Sequence, residues 1–214
     1  GAEKTPGQYD FSAYDQLINQ LEARNMRLLF IIDYGNPLYD EGMAPHTEEC
    51  RAAYARFCRA LAERYAGKGI LWELWNEPNI GFWQPKPNME DYMAWCKAVV
   101  PAIREADPDA CIVAPATSRI PMGFLEACFM RGLLELVDGV SIHPYRGPEQ
   151  GPESAIREYK ALAELIEQYK PASKQTMVIP ILSGEWGYSS TGMTRALQGK
   201  YLARQWLTNL ACGI

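Results

Sequence analysis

The chain is short of histidine, of paired cysteine and of positive charge, and each shortage removes a class of function. His46 and His143 are the only histidines in 214 residues, too few for a His-rich metal site. Cys50, Cys58, Cys96, Cys111, Cys128 and Cys212 form no C-x-x-C pair, so neither a zinc site nor a small disulfide framework is expected. Most lie among apolar neighbours, as Cys58 does between Phe57 and Leu61, and read as small hydrophobes. With 21 basic against 26 acidic residues the net charge is −5, and no basic stripe suits a phosphate backbone. Nucleic acid is excluded as a partner. A membrane span is equally unexpected, because no apolar run approaches the roughly 20 residues that crossing a bilayer takes. Neither a P-loop nor a GxGxxG follows any strand-like segment, so no nucleotide cofactor is implied, and no metal or organic cofactor is expected.

What is present is a core-forming composition, 48% hydrophobic and 11% aromatic, enough for one packed domain over 1–214, with no low-complexity linker to divide it. Apolar residues at helical spacing (Tyr14, Leu17, Ile18, Leu21) precede a dense apolar run from Leu28 to Ile32, closed by the turn residues DYGNP. The cycle repeats. Tyr54, Phe57, Leu61 and Tyr65 mark a second helix, with Thr47 as its N-cap and Glu48 and Glu49 in its first turn, and ILWELWNEP follows as a strand. Helices over about 91–106, 124–137, 156–166 and 194–210 alternate with the strands CIVAPAT, GVSIHPY and VIPILSGEWG. Five strands alternating with six helices predict an α/β fold with parallel strands and right-handed crossovers.

The placement of polar residues separates a closed barrel from an open doubly wound sheet. Asp33, Asn76 with Glu77, Thr117, His143 with Tyr145, and Glu185 stand at the carboxyl ends of successive strands. Reactive groups gathered from five strands at one rim predict a (β/α)8 TIM barrel, whereas an open sheet concentrates its ligand contacts at one switch point. Glu77 and Glu185, three βα units apart, would then face each other across the barrel mouth. Retaining glycoside hydrolysis needs two such carboxyl groups about 5 Å apart, one protonated to release the leaving oxygen and one ionised to attack the anomeric carbon.

WNEPN after an apolar strand, with a later Glu closing another strand in SGEWG, resembles the clan A retaining glycoside hydrolases, in which Glu ends strands four and seven. Within the clan, DYGNPLYD and WNEPNIGFWQPKP look most like the family 39 group, which includes β-xylosidases, α-L-iduronidases and exopolysaccharide hydrolases. The resemblance implies Glu77 as general acid/base, Glu185 as nucleophile, and Asn76 as a donor to the sugar 2-hydroxyl. It also implies that the Tyr145 hydroxyl bonds the nucleophile and that His143 lines the subsite. Trp83 and Trp186, with Tyr34 and Tyr39, fall in or beside rim loops where aromatic faces stack on sugars. Asp33 and Asn36 suit either sugar hydroxyls or the capping of the turn at Gly35 and Pro37. Trp72 and Trp75 read as packing, and Glu73, deeper on the strand that carries Glu77, as a buried ion-paired glutamate.

Aligned this way, RLLFIID is strand three, and strands one, two and eight have no counterpart, nor do the Arg and Trp that the clan takes from strands two and eight. The expectation is therefore an incomplete barrel, strands three to seven, of a retaining glycosidase acting on a poly- or oligosaccharide. The chain is then expected to be a piece of a longer enzyme, or to be completed by another chain or by self-association through the open edges. The alternative is a carbohydrate-binding or scaffold protein that keeps the subsite without turnover.

Overall fold

The computed structural model describes residues 1–214. A hairpin of β1 (Glu3–Thr5) and β2 (Gln8–Tyr9) opens the chain, followed by α1 (Ser12–Glu22) and β3 (Leu29–Ile32). Then come α2 (Glu48–Arg64), β4 (Leu71–Leu74), α3 (Met89–Ala106), β5 (Cys111–Ser118), α4 (Met122–Met130) and α5 (Leu133–Leu136). The last elements are β6 (Gly139–His143), α6 (Ile156–Tyr169), β7 (Ile181–Ser183) and α7 (Arg195–Cys212). Strands β3 to β7 form one parallel sheet in sequential order, as βα units repeated in one sense require. This is a partial (β/α) barrel containing strands three to seven, with β3 and β7 as its open edges.

The helices form for local reasons that the sequence shows. Thr47 caps α2, its Oγ1 accepting from the Cys50 N–H at 3.2 Å, with Glu48 and Glu49 at the positive end of the helix dipole. Asn88 caps α3 by accepting from the Glu90 and Asp91 N–H groups. On α3 the buried residues Tyr92, Cys96, Val99 and Ile103 recur every three to four positions and line the face that meets the sheet. Two features depart from the sequence reading. The hairpin was not foreseen, its strands being too short to show alternation. The helix expected over 124–137 is two helices, separated at Gly132, whose φ of 87° an α-helix cannot contain.

One irregularity in β5 positions the site. Pro115 has no N–H to give the ladder, and the pairing with β6 slips between Pro115 and Thr117. The bulged Ala116, with φ 53°, donates its N–H to Ser141 Oγ at 3.0 Å and accepts the Glu77 N–H at 2.9 Å. The β5 bulge is thus what anchors the backbone of Glu77.

Candidate active site

Beyond Leu74 the chain leaves β4 through two residues in the left-handed region, Trp75 (φ 69°) and Glu77 (φ 49°). Such conformations cost about 1–3 kcal/mol each and persist only where the surroundings over-determine them. Here they do: the Trp75 N–H continues the ladder to Ile32 O at 3.0 Å, its indole N–H reaches Phe82 O at 3.2 Å, and its ring is 1% exposed. Glu77 is consequently fixed at the rim and nearly buried, 6% exposed.

His143, the last residue of β6 and fully buried, is the hub. Its Nδ1 lies 3.2 Å from Glu77 Oε1 and 3.8 Å from Glu185 Oε2, and its Nε2 lies 3.8 Å from Glu73 Oε1. Burial opposes charge on the ring, but the carboxylates of Glu73, Glu185 and Glu77 outweigh it and raise the His143 pKa. Glu185 follows β7 by two residues and accepts the Tyr145 hydroxyl at 2.9 Å. Burial, with Glu185 alongside, pushes the Tyr145 phenol up to about 12, so it remains a donor at neutral pH. Ligand atoms of Glu77, His143 and Glu185 all lie within 4.8 Å of one another. The three could hold a cation, although the Nδ1 such an ion would need is already within hydrogen-bond distance of Glu77.

The structure brings together Glu77, His143, Tyr145 and Glu185, and holds Asn76 and Asp33 nearby. Asn76 is half-buried; its Nδ2 donates to the Tyr34 hydroxyl at 3.1 Å, while its buried Oδ1 has no partner. Asp33, just past β3, is pushed up to about 6 by burial and by the negative charge of Glu185 and Glu73. Trp186 is half-buried against the core, with an unpartnered indole N–H, beside Tyr188 at 6.3 Å between centroids.

One expectation is corrected, at Trp83, and at Asn36 the structure takes the turn-capping alternative over the sugar-binding one. Trp83, read as a rim aromatic, is 1% exposed, with its ring 4.8 Å from Trp75 and 5.5 Å from Tyr92. The turn after Glu77 folds it into the core, and no face is left for a sugar. Asn36 is spent on structure. Its Nδ2 donates to Glu3 O at 3.1 Å and its Oδ1 accepts from the Leu38 N–H at 3.1 Å, fastening the hairpin to the β3 loop. Two further side chains bear on the site. Glu73 is buried and ion-paired, as its place four residues before Glu77 on the same strand led one to expect: its charge partner is His143 at 3.8 Å, and both its oxygens lack hydrogen bonds. Tyr34 was noted only as an aromatic face and acts through its hydroxyl.

A cavity of about 450 Å³ lies beside Asp33 and Tyr34, at the open β3 edge and away from the carboxylate pair. No Lys or Arg nitrogen approaches within 4.0 Å of Glu77 or Glu185, whose ionic neighbour is His143.

Residues 2–211 match the family model for cellulase, glycosyl hydrolase family 5. The chain belongs to that family. A β-xylosidase from Caldicellulosiruptor saccharolyticus is 28% identical over 155 residues, which cover 66% of this chain and 30% of the relative. A family 39 glycoside hydrolase from Bacteroides cellulosilyticus superposes with a TM-score of 0.84 at 24% identity, covering 97% of this chain and 46% of that one. A family 39 β-xylosidase from Caulobacter crescentus gives 0.62 at 22% identity, covering 85% and 42%. The two solved structures share the fold. The family model places the chain among the glycosyl hydrolases, the broad group that its motifs resemble. The chain spans less than half the length of each of these three relatives. No helix is long and apolar enough to cross a membrane.

Proposed function

We propose that this chain carries the catalytic pair of a retaining O-glycosidase acting on a poly- or oligosaccharide. The observation that carries the reading is the cluster at the strand ends, in which carboxylate oxygens of Glu77 and Glu185 approach within 4.8 Å. That spacing suits double displacement, since an inverting enzyme holds its carboxyls about 6.5–9.5 Å apart to admit a water. Glu185, oriented by the Tyr145 hydroxyl, attacks the anomeric carbon while the glycosidic C–O bond breaks and Glu77 passes its proton to the leaving oxygen. In the second half a water attacks the same carbon, its proton goes to Glu77, and the bond to Glu185 breaks. His143 Nδ1–H faces the Glu77 carboxylate formed in the first half, and Glu73 behind the ring favours a proton on Nε2. The Asn76 amide nitrogen, which donates to the Tyr34 hydroxyl, keeps a second hydrogen to donate to a sugar hydroxyl.

A binding protein without turnover is the second reading, favoured by the absence of any Lys or Arg at Glu185, whose ionic neighbour is His143, and by the open sheet. Glu77→Ala separates the two. On the glycosidase reading it slows glycosides with poor leaving groups about 10²–10⁴-fold and activated aryl glycosides far less. Equal losses on both would remove Glu77 from the acid role.

A further inference from the structure

A second hollow, of about 420 Å³, lies over the ends of β4, β5 and β6 and has no place in the chemistry above. Its walls include Asn79, two residues beyond Glu77, together with Ser118, Arg119, Arg146, Gln150 and Ser154. Some of these groups are committed to holding the walls. The Asn79 amide is stitched to the Ser118 backbone at both ends, at 2.8 and 3.1 Å, and the Ser154 hydroxyl donates to Gly151 O at 2.7 Å. Arg146 is bound by Glu158 and by Tyr145 O.

The groups left over are donors. The Arg119 guanidinium is exposed, with no carboxylate within 4.0 Å and no hydrogen bond. The Ser118 hydroxyl and the Gln150 amide nitrogen are also free, the Gln150 oxygen being used by the Gly147 N–H. Arg119 is held in place at a cost: its φ is 60°, and its N–H donates to His143 O at 2.8 Å, tying it to the residue that contacts Glu77. In a chain of net charge −5, the hollow carries two arginines against the single carboxylate of Glu158.

We infer that this hollow is a subsite for a hexuronate unit on the leaving-group side of the scissile bond, which rests on the glycosidase reading. An unpaired guanidinium presents a planar fork that matches a carboxylate in two parallel bonds, and free hydroxyl and amide donors suit ring hydroxyls. The side follows from Asn79, a wall residue only two positions beyond Glu77, which gives its proton to the departing sugar.

The test is a titration of the isotope-labelled 214-residue chain with methyl β-D-glucuronoside and with methyl β-D-glucoside, followed by amide NMR. The expected result is saturable shifts at Asn79, Ser118, Arg119 and Gln150 with the glucuronoside, and binding of the glucoside about tenfold weaker. Arg119→Ala, a surface change that should leave the rest of the spectrum intact, abolishes the difference, and Arg119→Lys keeps part of it. Equal binding of the two sugars, or an Arg119→Ala variant that still prefers the uronate, would overturn the subsite. Covalent labelling of Glu185 is read separately, so a failed glycosidase and a failed subsite give different results.

Discussion

Asp33 carries a cost that depends on pH. Its carboxyl, raised to about 6 in the fold against 3.8 for an ordinary aspartate, must ionise near Glu185 and Glu73 above that range. Because the folded pKa is the higher one, stability is unaffected below pH 3.8, falls as pH rises toward about 6, and stays reduced above it. Asp33→Asn is therefore expected to stabilise the chain at pH 7 by about 1 kcal/mol, a value well under the full linkage because the group is partly exposed, and to change nothing in strong acid. Denaturant melts at both ends of the range check this, and a variant equally stabilised at low pH would contradict it. Individual residues were legible where a motif fixed them: WNEPN and SGEWG placed Glu77 and Glu185 on strand ends that the fold brings together. They were illegible where a backbone turn decided the direction of a side chain, as at Trp83, or where a distant hairpin claimed it, as at Asn36.

Among the elements, the five strands and most helices could be read because the apolar period changes from dense runs to helical spacing at each boundary, and Thr47 marked the start of α2. The β5 bulge could not, since its cause is the pairing of Pro115 with a strand some 25 residues away. The turn after β4 is the element on which the site depends, and its anchor is the aromatic packing of Trp75, Trp83 and Trp95. Trp83→Ala is expected to cost about 3–5 kcal/mol by leaving a cavity there. If Trp83 bound sugar instead, the variant would keep its stability and lose affinity, an outcome that thermal melts and titration distinguish.

For the whole molecule, the sheet ends in two unpaired strands, and α7 presents Leu202, Trp206 and Leu210 to solvent at 51%, 64% and 70% exposure. Their spacing of four puts them on one helix face, while Gln205 and Thr208 point inward. We propose that further βα units, on this polypeptide or another, cover that face and the sheet edges. The 214-residue chain alone is then expected to bind a hydrophobic dye at that face, whereas a dye-silent chain would argue that the open sheet is self-sufficient. Such units would also narrow the approach to Glu185, which is 37% exposed at its side chain, against 8% for Glu77.

On the proposed reading Glu185 attacks an anomeric carbon with Glu77 as its acid. Mass spectrometry after incubation with an activated 2-deoxy-2-fluoro glycoside, which forms the glycosyl-enzyme and then stalls, tests it most directly. One added sugar is expected on the peptide containing Glu185, slowed in Tyr145→Phe and absent in Glu185→Gln. A sugar that binds without covalent mass, or mass on any other residue, would contradict it.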